Sequence, residues 1–145
     1  MTPRAELLLA FLAAGPNRLD PIRIMKGMFI FGQEAPAEWL EGIQMYEFQP
    51  YNWGPFCQDI YRDLDELRGR GLVETTEDPG ASWKYYNATA AGCALSDDLA
   101  RYYRTPLLAF LKQIREYTLR HSFEDLLRAV YKKYPKYAVN TVFRY

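Results

Sequence analysis

Apolar residues recur at intervals of three and four along most of this chain, and residues that start or stop helices separate the runs. Thr2-Pro3 reads as the cap and first position of a helix, because a proline there gives up no backbone hydrogen bond. Leu7, Leu8, Phe11 and Leu12 follow at helical spacing, and Gly15-Pro16 ends the run. Asp20-Pro21 repeats the start signal. The inner stripe of this second helix is Ile22, Met25, Met28 and Phe29, widened by Ile24, Ile30 and Phe31. A helix apolar over most of its surface should be buried over most of it. Residues 33–43, with Pro36 and Gly42, read as a connection.

The pattern changes at Tyr46-Glu-Phe-Gln-Pro-Tyr-Asn-Trp-Gly-Pro55. Alternating large residues predict a short extended segment there. Trp53-Gly54-Pro55 then predicts a turn that places Pro55 at the first position of a third helix. Within that helix Phe56, Ile60, Leu64 and Leu67 fall four, four and three apart and should face the core, with Gly71 just past its end. Leu72-Val-Glu-Thr-Thr76 and Trp83-Lys-Tyr-Tyr-Asn-Ala88 are β-prone runs, joined by Glu77-Asp-Pro-Gly-Ala-Ser82 with the chemistry of a hairpin turn. Thr89 can cap a further helix with inner positions Leu95, Leu99 and Tyr102 or Tyr103. Leu107, Leu108, Leu111 and Ile114 define another helix. Ser122-Phe-Glu-Asp125 approximates a capping box for the last, whose stripe is Phe123, Leu126, Leu127, Val130, Tyr131 and Tyr134 before Pro135.

Three helices followed by a hairpin is the order of a winged helix. The expected fold is therefore α+β: a winged helix-turn-helix over residues 1–100, with a helical extension over 101–145 that packs on it or serves dimerisation. The apolar tail residues Val139, Val142, Phe143 and Tyr145 should dock.

Composition sharpens this in three ways. The chain of 145 residues is 49% hydrophobic and 25% charged, which are globular proportions. Aromatic residues reach 16%, twelve of them tyrosines, and tyrosine suits half-buried surfaces and interfaces. Charge is unevenly placed. Residues 1–100 carry 8 Lys and Arg against 15 Asp and Glu, while residues 101–145 carry 10 against 3. The basic strip comprises Arg101, Arg104, Lys112, Arg115, Arg120, Arg128, Lys132, Lys133, Lys136 and Arg144, interleaved with Tyr102, Tyr103, Tyr117, Tyr131, Tyr134 and Tyr137. Such a strip suits a DNA backbone, an acidic protein, or the chain's own acidic half in the same or a twofold-related copy.

Two cysteines 36 residues apart, the lack of a signal-peptide pattern and the lack of a long apolar run together predict a cytoplasmic protein. No catalytic or metal site emerges, so no enzyme and no cofactor are expected. His121 is the sole histidine, Cys57 has no base at a telling spacing, and Gly69-Arg-Gly71 follows a helix as a cap. Winged helices commonly read DNA with the third helix. Its outward residues should be Gln58, Asp59, Arg62, Asp63, Asp65 and Glu66. Gln58 and Arg62 suit base edges, with Arg68, Arg70 and the hairpin's Lys84 beside them, although the carboxylates oppose phosphate.

The third helix, Gly71-Leu72-Val73 and the hairpin closed by Tyr86-x-x-Thr89-x-x-Gly92 resemble MarR- and PadR-like bacterial winged-helix regulators, with Ala88 where Leu is usual. Pro50-Tyr51-Asn52-Trp53-Gly54-Pro55 followed by Tyr61 is similar to the PYxxGP…Y signature of Panacea-type antitoxin domains. The resemblances imply a small regulatory or neutralising protein, and because winged helices commonly bind DNA, a DNA-binding regulator of transcription or of a toxin–antitoxin pair is expected. The second resemblance implies a module that engages a protein through Tyr51, Trp53 and Tyr61 without contacting DNA.

Overall fold

The computed structural model describes residues 1–143; Arg144 of the basic strip and Tyr145 of the apolar tail lie outside them. The first two helices form where their caps direct. In α1 (Pro3–Ala13) the Thr2 side chain accepts from the N–H of Ala5, and in α2 (Pro21–Glu34) the Asp20 carboxylate accepts from that of Arg23. A 3₁₀ turn at Ala37–Leu40 leads into a short antiparallel hairpin, β1 (Gln49–Tyr51) and β2 (Gly54–Phe56). Then come α3 (Gln58–Gly69) and a second hairpin of β3 (Val73–Glu77) and β4 (Lys84–Ala88). Helices α4 (Ala90–Leu99), α5 (Thr105–Arg120) and α6 (Phe123–Lys133) complete the chain with a last 3₁₀ turn, Pro135–Ala138. Among the described residues no helix is long and apolar enough to cross a membrane.

The protein is α+β, and its order of elements is compatible with a winged-helix layout. Leu19 adds a one-residue third strand to the second hairpin: its backbone and that of Tyr86 each donate to the other at 2.8 Å. One connection departs from a helix-turn-helix, whose turn has about three or four residues. Here residues 35–57 separate α2 from α3 and carry the entire first hairpin.

Pro55 is the main correction to the sequence reading. It sits in β2 opposite Pro50, and α3 begins three residues later, with Cys57 as a cap that makes no side-chain hydrogen bond. The backbone stays extended through Cys57 (φ −138°, ψ 114°). Phe56 therefore stands on a strand, half-buried, while Ile60, Leu64 and Leu67 turn inward. At the far end of α3, Gly71 (φ +75°) lets the N–H of Leu72 reach Leu67 O at 2.9 Å and its own reach Arg68 O at 3.0 Å. This is the Schellman closure that glycine permits.

The second hairpin is locked to the start of α4. Thr89 Oγ1 donates to Gly71 O at 2.7 Å and accepts from Gly92 N at 3.0 Å. Gly92 lies so close to Leu72 that a Cβ there would overlap the Leu72 carbonyl oxygen far inside van der Waals contact. The Thr89-x-x-Gly92 spacing thus has a mechanical meaning: a cap and a close approach in one turn.

Helix α2 is central. Ile24, Met25, Met28 and Phe31 join residues of α1, α3, β3, β4 and α5 in the main core, while Phe29 packs with Leu127, Val130, Tyr131 and Tyr137. The acidic first hundred residues and the basic remainder thus share apolar packing. Arg115 of the basic strip takes part in this and turns inward. Its side chain is buried, and its guanidinium donates to Phe11 O (3.5 Å), Gly15 O (3.0 Å) and Asn17 O, the carbonyls at and just beyond the C-terminal end of α1. A cation suits that end of a helix. Tyr131 and Tyr137 are buried as well and do not interleave with surface charge. Of the tail residues expected to dock, Phe143 does, its ring packing against Phe123 and Tyr131, whereas Val139 and Val142 are 71% and 56% exposed; backbone and polar side chains add the remaining holds.

Candidate functional site

The first hairpin is poor in the usual means of support. It has three rungs, and the central one pairs two prolines, which carry no N–H. Its conformation is set by glycine: Gly54 follows the Asn52-Trp53 turn at φ +92°, and a Cβ there would stand 3.0 Å from Lys26 Cε and 3.1 Å from Leu127 Cδ2. Two elements distant in sequence thus close on the back of the turn. The tail supplies a third hold, with Val142 N donating to Asn52 O at 3.0 Å, Thr141 Oγ1 to the same oxygen at 3.2 Å, and Asn140 Nδ2 to Pro50 O at 3.3 Å.

Rings fill the remaining space. Tyr51 meets Phe56 at 5.1 Å between centroids, and Phe56 meets Tyr61 of α3 at 6.0 Å. On the other side Trp53 meets Phe123 of α6 edge-on at 5.4 Å. Tyr51 and Trp53 nonetheless remain 53% and 43% exposed. Between hairpin, α2 and α3 lies a cavity of about 140 Å³, lined by Tyr51, Trp53, Phe56 and Tyr61 together with Pro21, Ile22, Met25, Gly54 and Pro55. Tyr51, Trp53 and Tyr61, the residues that the PYxxGP…Y resemblance points to, are brought together here.

Among the described residues Lys26 is the one charged residue lining this cavity, and it is 3% exposed. Its Nζ donates to Pro55 O at 3.2 Å, and among the described residues no carboxylate lies within ion-pairing distance of it. Burial pulls its pKa down to about 7, against a smaller opposing pull from the Asp20 carboxylate. Sequence reasoning passed over Lys26. The available signal was a lysine flanked by Ile24, Met25, Met28 and Phe29 on a helix that is apolar nearly all round.

The residues expected to face DNA are exposed but separate into groups. Gln58 and Arg62 lie on the outer face of α3, and Arg62 pairs with Asp59 at 3.1 Å. Arg68 and Arg70 are at its C-terminal end, Arg70 held by Glu66 at 3.1 Å. Lys84 stands across the second hairpin from Glu77. Asp63 is not outward as expected. It is buried, accepts from the Tyr46 hydroxyl at 2.5 Å and stands 3.6 Å from Arg4 Nε. Desolvation, then the hydrogen bond to Asp63, raise the Tyr46 pKa. The outer face of α3 is thus one carboxylate less acidic than the sequence alone implies. Cys57 is buried, and burial pushes its thiol away from the thiolate form.

Compared with models of known protein families and with curated proteins, the chain matches neither.

Proposed function

We propose that this protein is a cytoplasmic winged-helix module that binds another protein, with the Pro50–Phe56 hairpin as its recognition element. The observation that carries the reading is the convergence of Tyr51, Trp53 and Tyr61 on one small cavity while Tyr51 and Trp53 stay about half exposed. Large rings on a rigid support are the anchors that protein interfaces favour, since they bury much area at little entropic cost. The unpaired thiols Cys57 and Cys93 fit a reducing compartment. The test is affinity capture with the intact chain and with a Tyr51→Ala, Trp53→Ala double variant whose folding is verified by circular dichroism. A partner retained by the first and lost from the second supports the reading; equal retention refutes it.

DNA binding through α3 is the second reading, supported by the exposed Gln58 and Arg62 one turn apart and by the burial of Asp63. It requires that duplex at low salt retard the protein, that affinity fall steeply as salt rises, and that Arg62→Ala weaken binding. Asp59, Asp65 and Glu66 on the same surface weigh against it.

A further inference from the structure

We infer that the cavity beneath the first hairpin is a carboxylate pocket that receives an acidic side chain of the protein partner, with Lys26 as its cationic floor. The inference rests on the protein-binding reading above and adds the chemistry of what enters.

A lysine this deeply buried normally has a carboxylate beside it, because taking an unpaired ammonium out of water costs several kcal/mol. Among the described residues Lys26 has one oxygen acceptor, the carbonyl of Pro55, for a group that carries three donors when charged. Asp20 acts on it only from beyond contact, its carboxylate being engaged at 2.8 Å by Arg23 and by the Arg23 backbone. The walls are apolar or aromatic: Ile22, Met25, Phe56 and the rings of Tyr51 and Trp53. A short chain of methylenes ending in an anion matches both parts, its stem against the rings and its oxygens toward Nζ. A cavity of about 140 Å³ is roughly the size of one that admits benzene, so it accepts a single side chain and excludes a folded segment. An anion beside the amine holds it in its charged form, which favours carboxylate over a neutral guest.

The probes are propionate, which is the side-chain fragment of glutamate, and its neutral counterpart propionamide. Each is titrated at pH 6 into the full chain while the Met25 methyl and Trp53 indole resonances are followed. Propionate is expected to saturate both shifts with a dissociation constant on the order of 1 mM, in keeping with so few atoms. Propionamide should bind about tenfold or more weakly, because it forfeits the charge-assisted hydrogen bond. Lys26→Met, whose side chain fills a similar volume, should abolish the preference. A second pair, N-acetyl-glutamate methylamide and the corresponding glutamine compound, asks whether the acid is accepted from a peptide backbone. Equal binding of the charged and neutral probes, or an undiminished preference in Lys26→Met, would overturn the proposal. So would binding of free propionate without the peptide analogue, because the pocket would then serve a small acid. If propionate fails while Tyr51 and Trp53 remain essential for partner capture, the pocket chemistry is wrong and the protein-binding reading survives.

Discussion

The two hairpins of this protein look alike in outline and are sustained by opposite means. The second, β3–β4, has five rungs, extends polar residues into solvent, and is fastened at its base by Thr89, Gly92 and the Leu19 bridge. The first has three rungs, one of them a proline pair, and owes its shape to α2, α6 and the C-terminal tail. A hairpin that supports itself can present whatever side chains it likes. One that depends on its surroundings is informed by them, so that a guest under β1–β2 touches α2 and α3 at once. Recognition is therefore expected at the dependent hairpin.

Perturbing the base of the independent hairpin should have the largest effect. Gly92→Ala forces a methyl into the Leu72 carbonyl and should lower unfolding stability by about 3 kcal/mol in a denaturant titration. A loss below about 1 kcal/mol would mean that α4 shifts away easily and that the close approach is incidental. Next comes Gly54→Ala, which imposes a side chain at φ +92° against Lys26 and Leu127. A cost of about 2 kcal/mol is expected, with hydrogen exchange accelerated at the first hairpin rather than at the second.

Lys26 gives the first hairpin a pH signature. Its folded-state pKa of about 7 lies below the ordinary 10.5, so between these values the unfolded chain holds a proton that the folded chain has released. Stability should accordingly rise with pH from about 7 toward 9, by up to about 1.4 kcal/mol per unit. The burial penalty is felt in full below pH 7. Lys26→Met should flatten that rise; a wild-type profile flat over the same range would show the ammonium to be better solvated than its burial implies. The smallest effect belongs to the tip of the second hairpin. Trp83→Ala and Lys84→Ala, both exposed, should each change stability by less than about 0.5 kcal/mol by thermal melting. A larger change would place hidden support there.

Helix positions were legible in the sequence because the signals are local. Thr2-Pro3, Asp20-Pro21, Thr89 and Ser122 start helices where a side-chain oxygen can reach a backbone N–H three residues on, and each does so. The first strand and the turn of the first hairpin follow the sequence pattern, and its second strand departs from it for the complementary reason. Pro55 is locally competent to open a helix, and what keeps it in a strand is Gly54, together with Lys26 and Leu127 packed behind the turn. The same applies to the candidate site. Tyr51, Trp53 and Tyr61 carry a recognisable spacing, whereas Lys26, Asn140 and Thr141 are tied to the hairpin by folding alone. Asp63 was assigned outward because the helical stripe gives no notice of a tyrosine seventeen residues earlier that reaches across to it.

Arg115 fastens α5 to the end of α1 through main-chain oxygens, not through partner side chains. Every amino acid offers the same carbonyl. Asn17 is thus free to vary in identity as long as the path of the chain holds, whereas a side chain at Gly15 would stand 2.9 Å from Arg115 Nε and the arginine has no substitute that spans the same three acceptors. Mutational tolerance across this joint should be uneven, permissive at Asn17 and strict at Gly15 and at the side chain that rests against it.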